Sequence, residues 1–338
     1  SLKKAIDIFS TKEKYDVIKR NLPYIKNIER IDHHTCHAYY AAYGAPMDKN
    51  KLQDSLILTA DSWGDEQNWT ANILNENGTL KKISGGTGNI LARIYKFCTL
   101  ILGMKPNEHE YKVMGLAPYY SGPKTQEVEK VFEKIQSLDN LDFSFNNDIK
   151  DIYHYLNTNL KNFRFDHIAS GLQSFTDKLL VEWIGNAMKE FNTKNLVYSG
   201  GISMNVKSNL AISKTPEIEK FFVCGAGTDE TLPIGACYNF AAMSNISPKP
   251  LTDLYLGDEA SYAFDELEQN AGLSVSDFTS TDQILGQILD NKIIGVCRGR
   301  MEMGQRALGN RSIIADPRHT FNVDKINTSI KNRDFWMP

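Results

Sequence analysis

Two histidines one helical turn apart are the first residues in this sequence that could do chemistry. In the run Asp32-His33-His34-Thr35-Cys36-His37-Ala38, a helix sets His33 and His37 on one face while His34 points elsewhere. Neutral imidazoles so placed can share an ion such as iron or zinc. The same residues could also cap or pack a polar helix start, since two ligands seldom hold a metal. Asp61 and Asp229 are candidates for the missing ligands. Each follows a predicted strand, near where ligands gather in open α/β sheets.

Two small-residue loops suggest a nucleotide. Ser199-Gly200-Gly201-Ile202-Ser203-Met204-Asn205 and Gly225-Ala226-Gly227-Thr228-Asp229 both read as turns from a strand into a helix. Glycines admit a ligand close to the backbone, and helix starts offer free N–H groups to phosphate. Gly-rich turns are also common connectors, but their repetition favours a cleft touched by Gly200, Gly201, Asn205, Gly227 and Thr228. Neither loop has the Walker form. The run Glu108 to Pro118 reads either as a surface helix entering the core or as a wall of that cleft. Arg298, Arg300, Arg306, Arg311 and Arg318 crowd one stretch, with Lys331 and Arg333 beyond. Converging guanidiniums suit a phosphorylated substrate; solvated arginines, or pairing with Glu302 and Asp316, is the alternative.

The elements that must position these groups read as mixed α and β. Residues 55–62 form a buried strand, and 67–83 continue as strand, Asn77-Gly78 turn, strand. Apolar residues at helical spacing predict a long helix over 168–191. Strands follow at 196–199, 221–224 and 293–297, with helices over 203–213, 233–243, 264–290 and near 322–332; residues 3–30 also look helical. Ser247-Pro248-Lys249-Pro250 marks a boundary, dividing 1–248 from 249–338.

Bulk properties narrow the class. At 338 residues, 41% hydrophobic and 23% charged, the chain suits a soluble two-domain protein. A net charge of -3 gives no footprint for nucleic acid. Five scattered cysteines without a CxxC pair suit a reducing cytoplasm. No apolar run approaches the roughly 18 residues of a membrane span, and no signal peptide opens the chain.

In their order, these runs resemble the NodU/CmcH/TobZ-type carbamoyltransferase family. Asp32 to Ala38 looks like its DHHxxHA, and Glu110 to Tyr119 like E-x-K-V-M-G-L-A-x-Y. Ser199 to Asn209 is similar to S-G-G-x-x-x-N-x-x-x-N. Gly299 to Arg318 is close to G-R-x-E-x-G-x-R-A-L-G-x-R-S-I-x-x-D-P-R, and Asn327 to Asp334 to N-x-x-I-K-x-R-[ED].

That resemblance implies an α/β chain with an RNase H-like, actin-like (ASKHA) domain similar to TsaD over 1–248, lacking its N-terminal strands. Residues 249–338 would begin a truncated YrdC-like domain. It implies an ATP-dependent O-carbamoyltransferase that makes carbamoyladenylate from carbamoyl phosphate and ATP. A hydroxyl-bearing small molecule or saccharide would then receive the carbamoyl group. Arg306, Lys331 and Arg333 would act on carbamoyl phosphate; His33, His37, Asp61 and Asp229 would hold a divalent metal, Fe first, with Mg a second candidate beside ATP. The glycine loops would hold the adenylate. A homo-oligomer stays open, and neither nucleic acid nor membrane is an expected partner. The competing readings are a kinase or ATPase of the actin-like superfamily, or an inactive nucleotide-binding fragment.

Overall fold

A computed structural model describes residues 11–259 and 280–337. Residues 3–10 and 264–279, both expected to be helical, lie outside the described residues. The chain divides into two compact units, Ser1–Asp32 and His33–Pro338. In the first, Thr11–Asn21 is a helix with Lys19 and Arg20 in its last turn.

The second unit is organised by a five-stranded sheet of order β3-β2-β1-β6-β7. β1 (Ser55–Gly64), β2 (Gln67–Leu74) and β3 (Leu80–Gly86) form an antiparallel meander. The β2–β3 turn passes through Gly78 at φ +84°, as its Asn-Gly pair requires. After the short hairpin β4 (Gln136–Asp139) and β5 (Asp142–Phe145), the chain returns to the main sheet. β6 (Asn195–Ser199) lies parallel to β1, and β7 (Lys220–Val223) parallel to β6. A three-stranded meander extended by parallel strands from its first member is the RNase H-like arrangement expected from the sequence.

Strand alternation assigns β1 and β6 to two cores. Leu56, Leu58, Ala60, Leu196 and Tyr198 point to one face, into a core closed by the long helix Phe165–Glu190 and by Leu91–Ile101 and Pro123–Glu133. Ile57 and Val197 point to the other, against the histidine helix His33–Gly44. Both strands are therefore apolar on both faces, as central strands covered by helices are.

A directed chain of buried hydrogen bonds fixes the histidine helix to this sheet. The carbonyl of Gln67 can only accept, so His34 Nε2 donates to it at 3.2 Å. His34 Nδ1 then accepts from Thr59 Oγ1 at 2.8 Å. Thr59 Oγ1 in turn accepts from Thr70 Oγ1 at 2.7 Å, which accepts from Asn72 Nδ2 at 2.9 Å. Burial lowers the His34 pKa to about 4, so the ring is a neutral core histidine. Replacement of His34 by alanine leaves a cavity and unpaired hydroxyls. We expect it to lower stability by roughly 2–4 kcal/mol in a denaturant titration. A loss under about 0.5 kcal/mol, the level of an ordinary surface substitution, would show that these bonds are dispensable.

Beyond residue 248, Thr281–Leu289 is a helix opened by a capping box between Ser280 and Gln283. β8 (Ile294–Cys297) pairs antiparallel with β9 (Arg311–Ile314). Thr320–Lys325 forms a short helix. The C-terminal stretch returns to the main body, where Lys112 Nζ meets Asp334 Oδ2 at 2.8 Å and Tyr119 donates to the Trp336 carbonyl at 3.0 Å.

Candidate functional site

His33 and His37 leave the first turns of their helix side by side, with Nε2 atoms 3.2 Å apart. The helix start is tied down from outside: the His33 backbone N–H donates to Asp65 Oδ2 at 2.9 Å. Asp61 comes from the end of β1, where the ladder to β2 is irregular between Ala60 and Gly64. Such a bulge releases a side chain from regular pairing. Asp61 Oδ2 lies 3.2 Å from His37 Nε2 and 3.6 Å from His33 Nε2, and it accepts the Gly201 N–H at 3.1 Å.

Asp229 arrives after β7, in the turn that opens the helix Leu232–Met243. Its Oδ1 is 3.6 Å from both imidazole Nε2 atoms. All four donor atoms lie within 4.8 Å of one another. An ion held tetrahedrally at about 2.1 Å needs donors roughly 3.4 Å apart. The measured separations straddle that value, so the residues fit a metal.

Charge balance points the same way. Burial depresses His37, but hydrogen bonds to Asp229 and Asp61 outweigh it and leave its pKa raised. Burial opposes ionisation of Asp61, and the bonds from His33, His37 and the Ser62 N–H overcome it, holding that carboxyl far below its ordinary range. Two imidazole nitrogens facing each other across two carboxylates form a site that demands a cation, whether proton or metal. The other nitrogen of His37, Nδ1, is buried with no hydrogen-bond partner among the described residues.

The cluster opens into a cleft of about 810 Å³, a volume suited to a small ligand or nucleotide. Asp61 and Asp229 share its lining with Gly201, Asn205, Thr228 and Arg306. Gly200 makes the tight turn beneath it at φ +98°, where a Cβ would lie 2.2 Å from the Ala60 carbonyl oxygen. Gly227 supports the loop from behind, its N–H facing Met204 Sδ at 3.2 Å.

Asn205 is committed to the scaffold. It caps the helix Val206–Ile212 by accepting from the Ser208 N–H at 3.0 Å, and its amide nitrogen donates to Tyr95 Oη at 3.1 Å and Gln173 Oε1 at 3.2 Å. Gln173 and Ser208 both donate to Asp177, at 2.7 and 2.6 Å. Sequence reasoning passes over Tyr95, Gln173 and Asp177, whose separation along the chain carries no local signal. The stretch from Glu108 takes both of its expected roles: Val113 and Leu116 are buried, while Glu110, Tyr111 and Met114 line the cleft.

The arginines disperse. Arg318 is bidentate to Asp316, with Nε contacts of 2.9 and 3.0 Å, and Arg311 donates to the Arg298 and Asn310 carbonyls at 2.7 and 2.9 Å. Arg333 Nε donates to Asn327 Oδ1 at 2.7 Å. Arg306 lines the cleft, whereas Lys331 and Arg333 lie outside its lining.

Residues 6–238 match the family model described as Carbamoyltransferase N-terminus, and 286–338 that described as Carbamoyltransferase C-terminus. The uncharacterized protein MJ1058 of Methanocaldococcus jannaschii is 28% identical over 95% of this chain and 57% of its own length. Nodulation protein NolO of Bradyrhizobium diazoefficiens is 26% identical over 91% of this chain and 57% of its own. The chain thus spans somewhat over half of each relative. The crystal structure of T. kodakarensis HypF aligns at a TM-score of 0.37 with 13% identity, covering 69% of this chain and 39% of HypF. That likeness is too slight to carry an argument.

Proposed function

Because the chain belongs to the carbamoyltransferase family, we propose that it works in ATP-dependent carbamoylation of a hydroxyl acceptor through carbamoyladenylate. The observation that carries this reading is the His33, His37, Asp61, Asp229 cluster at the base of a cleft bordered by two glycine loops. In the first half-reaction, carbamoyl phosphate, water and ATP give carbamoyladenylate, phosphate and pyrophosphate. In the second, the acceptor oxygen attacks the carbamoyl carbon. The bond from that carbon to the phosphate oxygen breaks, AMP leaves with the electron pair, and the acceptor's proton passes to solvent.

We assign the second half-reaction to the cleft. Gly201 and Thr228 border the adenylate, and Gly200 shapes the turn below it. A divalent ion bound by the four ligands, iron first, would supply Lewis acidity to the carbamoyl carbonyl. Lys331 and Arg333 are placed with carbamoyl phosphate, in a YrdC-like domain beginning near residue 249. No helix among the described residues is long and apolar enough to cross a membrane. The buried cysteines Cys36, Cys98 and Cys224 suit a reducing cytoplasm.

The test is pyrophosphate release by the protein given ATP with and without carbamoyl phosphate. Release that requires both supports the reading. ATP turnover indifferent to carbamoyl phosphate would replace it with a kinase or ATPase of the same superfamily.

A further inference from the structure

The arginine stretch touches the transfer cleft at one place. The Met303 N–H donates to the Leu254 carbonyl at 2.8 Å, and Gln305 Nε2 donates to Thr228 Oγ1 at 3.2 Å. Between them Gly304 lies so close to Ala226 that a Cβ would sit 2.7 Å from the Ala226 Cβ, and its φ is +102°. Thr228 immediately precedes Asp229, one of the four ligands. The residue after Gln305 is Arg306, which is exposed and lines the cleft. No hydrogen bond or ion pair occupies its guanidinium among the described residues. Arg298, Arg311, Arg318 and Arg333 are instead tied to carbonyls or side chains.

From this contact we infer that Arg306 serves the transfer cleft as a clamp on the nucleotide phosphate, and that Gln305 is its positioning residue. The inference rests on the adenylate reading of the cleft and moves Arg306 away from Lys331 and Arg333. Its chemistry follows from the second half-reaction. As the bond from carbamoyl carbon to phosphate oxygen breaks, the phosphate gains negative charge, and a guanidinium held beside it stabilises that charge. Asp61, Asp229 and Glu230 line this cleft together with the cations Arg93 and Lys96, and Arg306 is the cation that follows the contact with the Asp229 loop. Gln305 ties the arginine loop to the loop that carries Asp229, placing the clamp beside the proposed metal ligand.

AMP and carbamoyl phosphate, titrated separately into the protein by calorimetry, test the assignment. Arg306→Ala is expected to weaken AMP by about 10- to 100-fold, the range of a lost charge-assisted contact, and to leave carbamoyl phosphate unchanged. Gln305→Ala should weaken AMP by a smaller factor with metal content intact. The double variant should bind AMP no worse than Arg306→Ala alone, because the two residues act through one contact. Additive losses would reduce Gln305 to a separate structural role and overturn its part. AMP affinity unchanged in Arg306→Ala, or a loss confined to carbamoyl phosphate, would overturn the clamp. A wild-type protein that binds no AMP would instead overturn the underlying reading of the cleft. Both side chains are exposed, so these variants test binding with the fold intact.

Discussion

Replacing His33 and His37 together by alanine is expected to reduce divalent-metal affinity by well over 100-fold and to abolish carbamoyl transfer. Removing a mere supporting partner of a metal ligand typically costs 10- to 100-fold, and here two of the four ligands go at once. The remaining carboxylates, Asp61 near the end of β1 and Asp229 in the turn after β7, are held near each other by contacts to the imidazoles. Loss of the rings therefore removes donors and also frees the other two to separate. Metal analysis after dialysis and an assay of carbamoylated product read the two halves of the claim, with pyrophosphate release followed alongside. Pyrophosphate release should persist if activation is carried elsewhere, while product formation stops. Metal content equal to the wild type would sink the proposed site.

Gly235→Ala should be strongly destabilising although it adds only one carbon. Gly235 lies in the helix Leu232–Met243 and faces the backbone of Cys36, between His33 and His37 in the sequence. A Cβ there would sit 1.9 Å from the Cys36 carbonyl oxygen and 2.9 Å from its Cα. Backbone cannot yield as a side chain can, so the two helices must part. The expected cost is about 3 kcal/mol or more, with a clear fall in metal affinity, because the parting moves His33 and His37 away from Asp229. Gly286→Ala is the control: nothing lies within 4 Å of its Cβ position in the helix Thr281–Leu289. That change should be neutral or stabilise by roughly 0.5–1 kcal/mol. Equal thermal midpoints for the two variants would refute the tight helix contact.

The meander is legible in the sequence because Leu56-Ile57-Leu58 is too apolar for anything but a covered strand, and Asn77-Gly78 permits few turns. His33 and His37 are legible through their spacing alone. Asp229 is visible only as a carboxylate after a strand. Its approach to the histidines depends on β7 lying beside β6, and that order is a long-range property. The hairpin β4–β5 escapes sequence reasoning because its strands are short and mostly exposed. What holds it is Phe143, whose ring packs against Trp69 and Trp183 from distant elements. The helix expected over 203–213 begins only at Val206, since Ser203 turns back to the Gly200 carbonyl and Asn205 supplies the cap. The arginine stretch shows the limit of composition most clearly. Its basic count suggests one anion pocket, yet Asp316 and backbone carbonyls take several of those guanidiniums.

The parallel pairing of β1 with β6 also dictates an order of events during synthesis. Ser55 pairs with Asn195, so β1 emerges from the ribosome long before its partner exists. Until then the early meander presents an open strand edge with the apolar run Leu56-Ile57-Leu58 at its centre, the kind of surface that recruits neighbouring chains. Contacts of such wide separation slow folding. Three of the four proposed metal ligands are made early, and the last, Asp229, only after the sheet can close. A cation meeting the nascent chain would find the proposed coordination set incomplete, so full metal uptake is expected only once the central sheet has assembled.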